Sequence, residues 1–302
     1  MPGGASRRGW GVALRRTLTV PAAAGVAAAA YMAFEAQWLR RGRRPLVIPG
    51  LAAAFEGLTV LHLSDVHAGQ PGLNLHTLRK AVEWGVSIEP DLVVLTGDIL
   101  GGVRGRRQCL ELLSLLRPRL GSYAVTGNHE HGLSKNPLAH RPGGLDWSAA
   151  GVTVLEDRCV ALEPATGPLP PGETTDTGIP GARVILCGAD YLTGGYDFRG
   201  PSPREGDLRV LLIHRPPMPD DPLLKRFDLA FAGHTHGGQI RLPGPHGKFA
   251  LHRERLPYVE GIHRCGDTLL AISPGIGTTF LPFRLLTRPE VTLYRFTASA
   301  SE

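Results

Sequence analysis

The chain has 302 residues, 42% hydrophobic and 20% charged, long enough for one large domain or two small ones with a sizeable core. Its net charge of +6 is unevenly placed: residues 1–45 hold eight arginines against Glu35 alone, and the remainder carries 25 basic and 26 acidic side chains. That excludes a general electrostatic case for a nucleic-acid partner, and four scattered cysteines without a C-x-x-C pair exclude a zinc knuckle or dithiol redox motif.

Arg15 and Arg16 precede an uncharged run, Thr17–Phe34, about as long as the roughly 20 residues that span a bilayer. An arginine pair followed by a mildly apolar run is the pattern of a twin-arginine export signal, with Ala28–Ala30 as its cleavage point, or of a retained membrane anchor. Residues 1–45 are accordingly the expected leader and 46–302 the expected domain, membrane-associated or exported and outside the cytoplasm. Cys109, Cys159, Cys187 and Cys265 read as buried small hydrophobes, with one disulfide open to them if the domain is exported.

Short β-branched runs then predict strands at Leu58–Ser64, Asp91–Thr96, Tyr123–Thr126, Val152–Leu155, Val184–Cys187, Val210–His214, Asp228–Ala232, Leu269–Ser273 and Val291–Phe296. Helical stretches are expected at about Leu75–Val86, Arg107–Leu116, Leu145–Ala150 and Asp221–Arg226. Residues 163–181 read as a polar loop. Alternating strand and helix predicts an α/β protein, and the strand-rich later region predicts a pair of packed sheets flanked by helices.

Strand after strand ends in a metal-capable side chain held by Gly or Ser. In order these are 64-SDVH-67 with Asp65 and His67, 96-TGD-98 with Asp98, 127-GNHE-130 with Asn128, His129 and Glu130, His214 after VLLI, and 233-GHTH-236 with His234 and His236. Loops at the carboxyl ends of strands form the active crevice of open α/β sheets, so five loops are expected to converge. Carboxylate, amide and imidazole donors suit Mn, Fe or Zn, and a bridging carboxylate, here Asp98, brings two cations to roughly 3.5–4 Å. The i, i+2 spacing of Asp65/His67 and His234/His236 predicts an extended segment that points both side chains the same way. Glycines let the backbone approach the ions.

The ordered set D-x-H, G-D, G-N-H-[DE], H, G-H-x-H resembles the calcineurin-like metallophosphoesterase superfamily. The segments 57-GLTVLHLSDVHAG-69, 233-GHTHGGQIRLP-243 and 275-GIGTTFLPFRLLTRPEVTL-293 are similar to its YkuE/YaeI-type bacterial phosphodiesterase branch. The resemblance implies a four-layer αββα sandwich of two mixed sheets. It implies two divalent ions, one on Asp65, His67 and His236, the other on Asn128, His214 and His234, with Asp98 between them. His129 is then the histidine that assists phosphate and leaving group, Glu130 orients it, and Asn128 and His129 face the substrate; Arg215, which follows His214 directly, is a further candidate to face phosphate. The implied activity is hydrolysis of phosphodiester or pyrophosphate bonds by activated water. The implied substrate class includes nucleotide-linked lipids such as UDP-2,3-diacylglucosamine, with the membrane as partner through the leader. The competing readings are a non-catalytic metal-binding module on the same fold, and a phosphomonoesterase or protein phosphatase.

Overall fold

The computed structural model of the chain describes residues 22–134, 146–164, 167–168, 181–195, 197–244, 247–250 and 256–298. In chain order, helix α1 (22–35) leads into strand β1 (Arg40–Val47), β2 (Thr59–Leu63), helix α2 (Asn74–Ile88), β3 (Leu92–Thr96), helix α3 (Arg106–Leu113), β4 (Ser122–Val125) and β5 (Val152–Val154). The second half is nearly all strand: β6 (Arg158–Glu163), β7 (Gly167–Pro168), β8 (Val184–Gly188), β9 (Leu208–Leu212), β10 (Leu229–Ala232), β11 (Arg241–Gly244), β12 (Gly247–Ala250), β13 (Gly261–Cys265), β14 (Thr268–Ile272) and β15 (Glu290–Thr297).

Two mixed sheets result, ordered β1-β15-β2-β3-β4-β5 and β13-β14-β10-β9-β8-β6-β7, with β11 and β12 as a separate hairpin. Strands β2 to β5 run parallel, as do β8, β9, β10 and β14, while antiparallel strands close the sheets' other sides. The parallel strands are buried on both faces, which is why they read as unbroken apolar runs. Their alternation is nonetheless strict. Val60, Leu92 and Val94 face Leu186, Val210, Leu212 and Phe231 in the core between the sheets. Leu61, Leu63, Val93 and Leu95 face outward onto Leu78 and Val82 of α2 and Leu112 and Leu113 of α3. Behind the second sheet, Ile185, Leu211, Ala230 and Leu270 pack on Leu223, Leu224 and Phe227. The sandwich is four-layered as expected, but the layer behind the second sheet is thin. The helix expected at Asp221–Arg226 is a single 3-10 turn, Leu224–Arg226, and the one expected at Leu145–Ala150 is likewise a 3-10 turn, Trp147–Ala150.

The first sheet begins inside the arginine-rich stretch assigned to the leader. Strand β1 pairs with β15 from Arg40↔Glu290 to Val47↔Thr297, and Arg40 and Arg44 both bind the buried carboxylate of Glu290. Ahead of it, α1 is exposed along residues 22–28 and docks only by its last turn. There Met32 accepts the Arg284 N–H at 3.1 Å, Glu35 Oε1 accepts the Thr287 N–H at 2.8 Å, and the Arg288 guanidinium lies 3.9 Å over the Trp38 ring. Among the described residues no helix is long and apolar enough to cross a membrane. Arg15 and Arg16 lie outside the described residues, as does most of the expected loop 163–181.

One disulfide, Cys159–Cys187, joins directly paired residues of β6 and β8. Cys109 and Cys265 are free and buried. Burial pushes the Cys109 thiol up to about 12.

Candidate metal centre

The parallel strands of both sheets deliver their carboxyl ends to one edge, and the predicted residues meet there. Loop-to-loop backbone bonds set the alignment: Asp65 N–H donates to Gly97 O at 3.0 Å, His67 N–H to Asp98 O at 2.9 Å, and Gly233 N–H to His214 O at 2.9 Å. Asp65, His67, Asp98, His214 and His236 are all buried. His67 Nε2 lies 2.9 Å from His236 Nε2, and His236 Nε2 lies 3.5 Å from Asp65 Oδ1. On the other side His214 Nε2 lies 3.0 Å from His234 Nδ1 and 3.2 Å from Asn128 Oδ1. Between the two groups stands Asp98, with Oδ2 3.6 Å from His67 Nε2 and 3.4 Å from His214 Nε2.

Donor atoms within 4.8 Å of one another form three triads: Asp65, His67 and His236; Asp98, His214 and His234; and His67, Asp98 and His129. The first groups the three residues expected for one ion, and the second groups His214 and His234, expected with Asn128 for the other, with the expected bridge Asp98. The third shows that His129 stands at the centre of the cluster, its ring edge-on to His67 at 4.4 Å and its Nε2 3.9 Å from Asp98 Oδ2.

The backbone does not follow the extended geometry expected of the i, i+2 pairs. Asp65 (φ 49°), His67 (φ 49°), Asp98 (φ 52°), His234 (φ 70°) and His236 (φ 51°) all occupy the left-handed region. Non-glycine residues there cost on the order of 1–3 kcal/mol each and cluster at functional sites. The side chains of these five residues converge because the chain kinks at each of them. Glycine matters here through close approach. A Cβ on Gly233 would collide with Ser64 Oγ and Asp65 Oδ2, and one on Gly127 with Asp98 Oδ1.

Supporting bonds fix the ligands from behind. His214 Nδ1 donates to Thr96 O at 2.7 Å, which leaves Nε2 as the atom facing the cluster. Both Asp65 oxygens accept the His234 N–H. A buried chain of donors runs from the core into Asp65: Thr96 Oγ1–H donates to Ser64 Oγ at 2.7 Å and Ser64 Oγ–H to Asp65 Oδ2 at 2.5 Å. Thr96 Oγ1 is therefore left to accept from His62 Nε2 at 2.8 Å. His62 lies in the core between the sheets, against Phe231 and Tyr294, and heads that chain.

The electrostatics are those of a cation site. Burial pushes His67 down to about 3 and lowers His129 and His236, so these imidazoles stay neutral. Burial, seconded by repulsion from Asp98, pushes Asp65 up to about 7 against the pull of His214. Burial opposes ionisation of Asp98 as well, yet His214, His67 and His129 hold it well below the usual carboxylate range. Burial would lower His214, but the Asp98 carboxylate raises it to about 10. Two buried carboxylates thus compete for very little positive charge, an arrangement that is costly until a cation joins it. The Nδ1 atoms of His67, His129 and His236 are buried without hydrogen-bond partners. Imidazole and carboxylate donors fit a borderline divalent ion at each of the two positions, and an ion beside His214 would displace the proton that Asp98 holds there.

Not every predicted role falls where the pattern put it. The Glu130 carboxylate grips backbone instead of the His129 ring: Oε2 accepts from Asp98 N at 2.9 Å and Gly127 N at 2.8 Å, and Oε1 from Leu100 N at 3.0 Å. Burial, with Asp98 nearby, raises its pKa. Arg215 is exposed at the end of β9. His131 contacts Thr126 Oγ1 at 3.0 Å and stacks near Tyr191, whose ring also meets His214 edge-on at 5.7 Å. Ser64, Thr96, Tyr191 and Arg284 were not singled out by sequence, although Ser64 and Thr96 lie within the motifs 64-SDVH-67 and 96-TGD-98 and Arg284 within the segment 275–293.

Known proteins resemble this chain over most of its length. The chain is 29% identical over 257 residues to the uncharacterized metallophosphoesterase YkuE of Bacillus subtilis, covering 80% of this chain and 79% of that one. It is 30% identical over 243 residues to the phosphodiesterase YaeI of Escherichia coli, covering 78% and 80%. A transmembrane protein with metallophosphoesterase domain from Danio rerio is 28% identical over 267 residues, covering 80% of this chain and 54% of that protein. Residues 58–238 match the calcineurin-like phosphoesterase family, a span that takes in all seven candidate ligands, and the chain belongs to that family of metal-dependent phosphoester hydrolases.

Proposed function

We propose that the chain hydrolyses phosphodiester or pyrophosphate bonds at a centre of two divalent ions, Mn, Fe or Zn. Asp65, His67 and His236 would hold one, Asn128, His214 and His234 the other, and Asp98 would serve both. The observation that carries this reading is the place of Asp98 Oδ2, within 3.6 Å of His67 Nε2 and 3.4 Å of His214 Nε2, between two otherwise separate donor sets. A pair of ions so held supplies charge for the phosphoryl oxygens and a hydroxide at neutral pH.

The protein's own contribution is orientation and proton handling. Thr96 O keeps the His214 tautomer, and Ser64 and the His234 N–H keep Asp65 aimed at the centre. His129, neutral by burial and held by its backbone N–H to Asp98 Oδ1 at 2.8 Å, is the group placed to take up a proton and pass it to the leaving oxygen. Substrate would be met by Asn128 and His129, and by Arg215 at the rim.

A membrane-proximal, exported domain acting on a nucleotide-linked lipid such as UDP-2,3-diacylglucosamine is the finer level of the proposal. The exposed apolar length of α1 supports it, as does the Cys159–Cys187 bond, since disulfides persist in oxidising compartments. The relative from Danio rerio is a transmembrane protein.

The test is metal analysis of the purified chain, followed by turnover of bis-p-nitrophenyl phosphate, p-nitrophenyl phosphate and UDP-2,3-diacylglucosamine with and without added Mn. Two ions per chain and metal-dependent diester cleavage are expected. Uptake of ions with no turnover of any ester would leave a binding module, and preference for the monoester would overturn the diesterase reading.

A further inference from the structure

Loop 274–281 supplies no metal ligand, yet it is bonded to both loops that frame the first position. Ile276 N–H donates to Ser64 O at 3.0 Å and Gly277 N–H to Asp65 O at 2.7 Å. Asn74 spans the carbonyls of His67 and Thr278, each at 3.1 Å, and Gln239 spans those of Thr279 and Leu281. At the centre of this arrangement is Arg284, the largest fully buried side chain among the described residues.

Its guanidinium is directed at backbone carbonyls. Nη2 donates to Pro274 O at 2.8 Å, Gly275 O at 3.2 Å and Gly277 O at 2.6 Å, and Nε donates to Gly277 O at 3.1 Å. Nη1 donates to His236 O at 3.3 Å and Thr287 O at 3.4 Å. Burying a cation is expensive, and a hydrophobe of similar volume would fill the space. A planar fork of five donors does what no hydrophobe can: it holds carbonyls from separate loops at fixed separations. One of those carbonyls belongs to His236 itself, and Gly277, gripped twice, is bonded to Asp65. The last turn of α1 backs the arrangement, through Met32 O on the Arg284 N–H and Glu35 on the Thr287 N–H.

We propose that Arg284 is a positioning residue for one metal position only: by gripping the carbonyls of loop 274–277 and of His236 it presets Asp65 and His236 relative to His67 before an ion arrives. The inference rests on the two-ion reading above. No bond from Arg284 reaches the loops of Asn128 or His214, and its one bond to the loop of His234 is to His236 O, beyond His234, so the second position should not depend on it.

The experiment is manganese titration of the full chain against a competing chelator, with electron paramagnetic resonance of the loaded protein and circular dichroism of the metal-free protein. Wild type should take up two ions and give a spin-coupled signal. Arg284→Met should keep one ion at wild-type affinity, bind the other roughly 10- to 100-fold more weakly, and show the six-line signal of isolated Mn. Arg284→Lys, which restores charge and up to three donors, should recover some of the loss. Glu35→Ala leaves Arg284 in place but frees Thr287, and should weaken the same ion several-fold; it carries the test if the Met variant does not fold. Retention of both ions at full affinity in folded Arg284→Met, or in Glu35→Ala where that variant carries the test, overturns the proposal, and so does equal loss of both. Wild type that binds a single ion would instead overturn the two-ion reading.

Discussion

Glu130 accepts the backbone N–H of Asp98 at 2.9 Å, so the loop that carries Asp98 is fastened to the loop that carries Asn128 and His129. The same carboxylate takes the N–H groups of Gly127 and Leu100. Glu130→Ala would leave three backbone donors to find other partners, at about 1–3 kcal/mol for each one left buried and unmatched. A lower melting temperature and weaker metal binding are expected together, measured by thermal denaturation and Mn titration. Unchanged stability would show that water replaces the carboxylate.

Asp98→Asn and His129→Ala should separate holding the ions from using them. The first removes the shared charge and should lower both metal content and turnover of bis-p-nitrophenyl phosphate by several orders of magnitude. The second should keep the metal and reduce turnover by about 10²–10⁴-fold. Metal content and steady-state rates on the same preparations check both, and full activity in the His129 variant would remove it from the reaction.

Gly233→Ala is expected to act on Asp65 at close range. The new methyl would occupy the space of Ser64 Oγ and Asp65 Oδ2. Overpacking of this kind costs about 1–3 kcal/mol, and here it would also turn the carboxylate away from His236. Thermal denaturation with and without Mn should show a loss that added metal does not restore.

His62 predicts an acid-sensitive contribution to stability. Burial lowers its pKa from 6.5 to about 3, so it is neutral in the fold. Between those values the unfolded chain binds a proton that the folded chain does not, and stability therefore rises with pH across that window. The contribution is complete above the ordinary histidine pKa and is lost as pH falls toward about 3, at about 1.4 kcal/mol per pH unit. His62→Gln, which keeps a donor for Thr96, should flatten this slope in urea denaturation series. A slope equal to wild type would place the acid sensitivity elsewhere.

The disulfide should matter to the fold and not to the metal. Closing a separation of 28 residues restricts the unfolded chain by about 3.5 kcal/mol in the chain-entropy account. Its strands β6 and β8 carry none of the candidate ligands. Cys159→Ser with Cys187→Ser should lower the melting temperature and leave Mn stoichiometry at two, by the same titration.

Sequence and structure agree best where burial is two-sided. The parallel strands β2, β3, β4, β9 and β10 are apolar runs with a candidate ligand just beyond each, and both features are local. Strand β1 escaped because RRGRRPLV carries charge on an edge strand, and its partner Glu290 is 246 residues away. Half-buried β6 and β13 lack a clear alternation. The ligand types were legible but their backbone was not. Asp and His tolerate left-handed φ without announcing it, so the two i, i+2 pairs suggested extended chain where the structure kinks. Arg284 was illegible for a different reason: its partners are carbonyl oxygens, which every residue has.

The left-handed backbone at the ligands decides which substitutions are clean probes. Asn and Asp accept that conformation more readily than other side chains with a Cβ. Replacing Asp65 or Asp98 by Asn therefore changes charge while leaving the local backbone preference nearly as it was. Alanine at the same positions would remove the donor and penalise the kink at once, and the two losses would arrive in a single number. At His234 and His236, Asn is again the substitution that keeps the turn and withdraws only the imidazole.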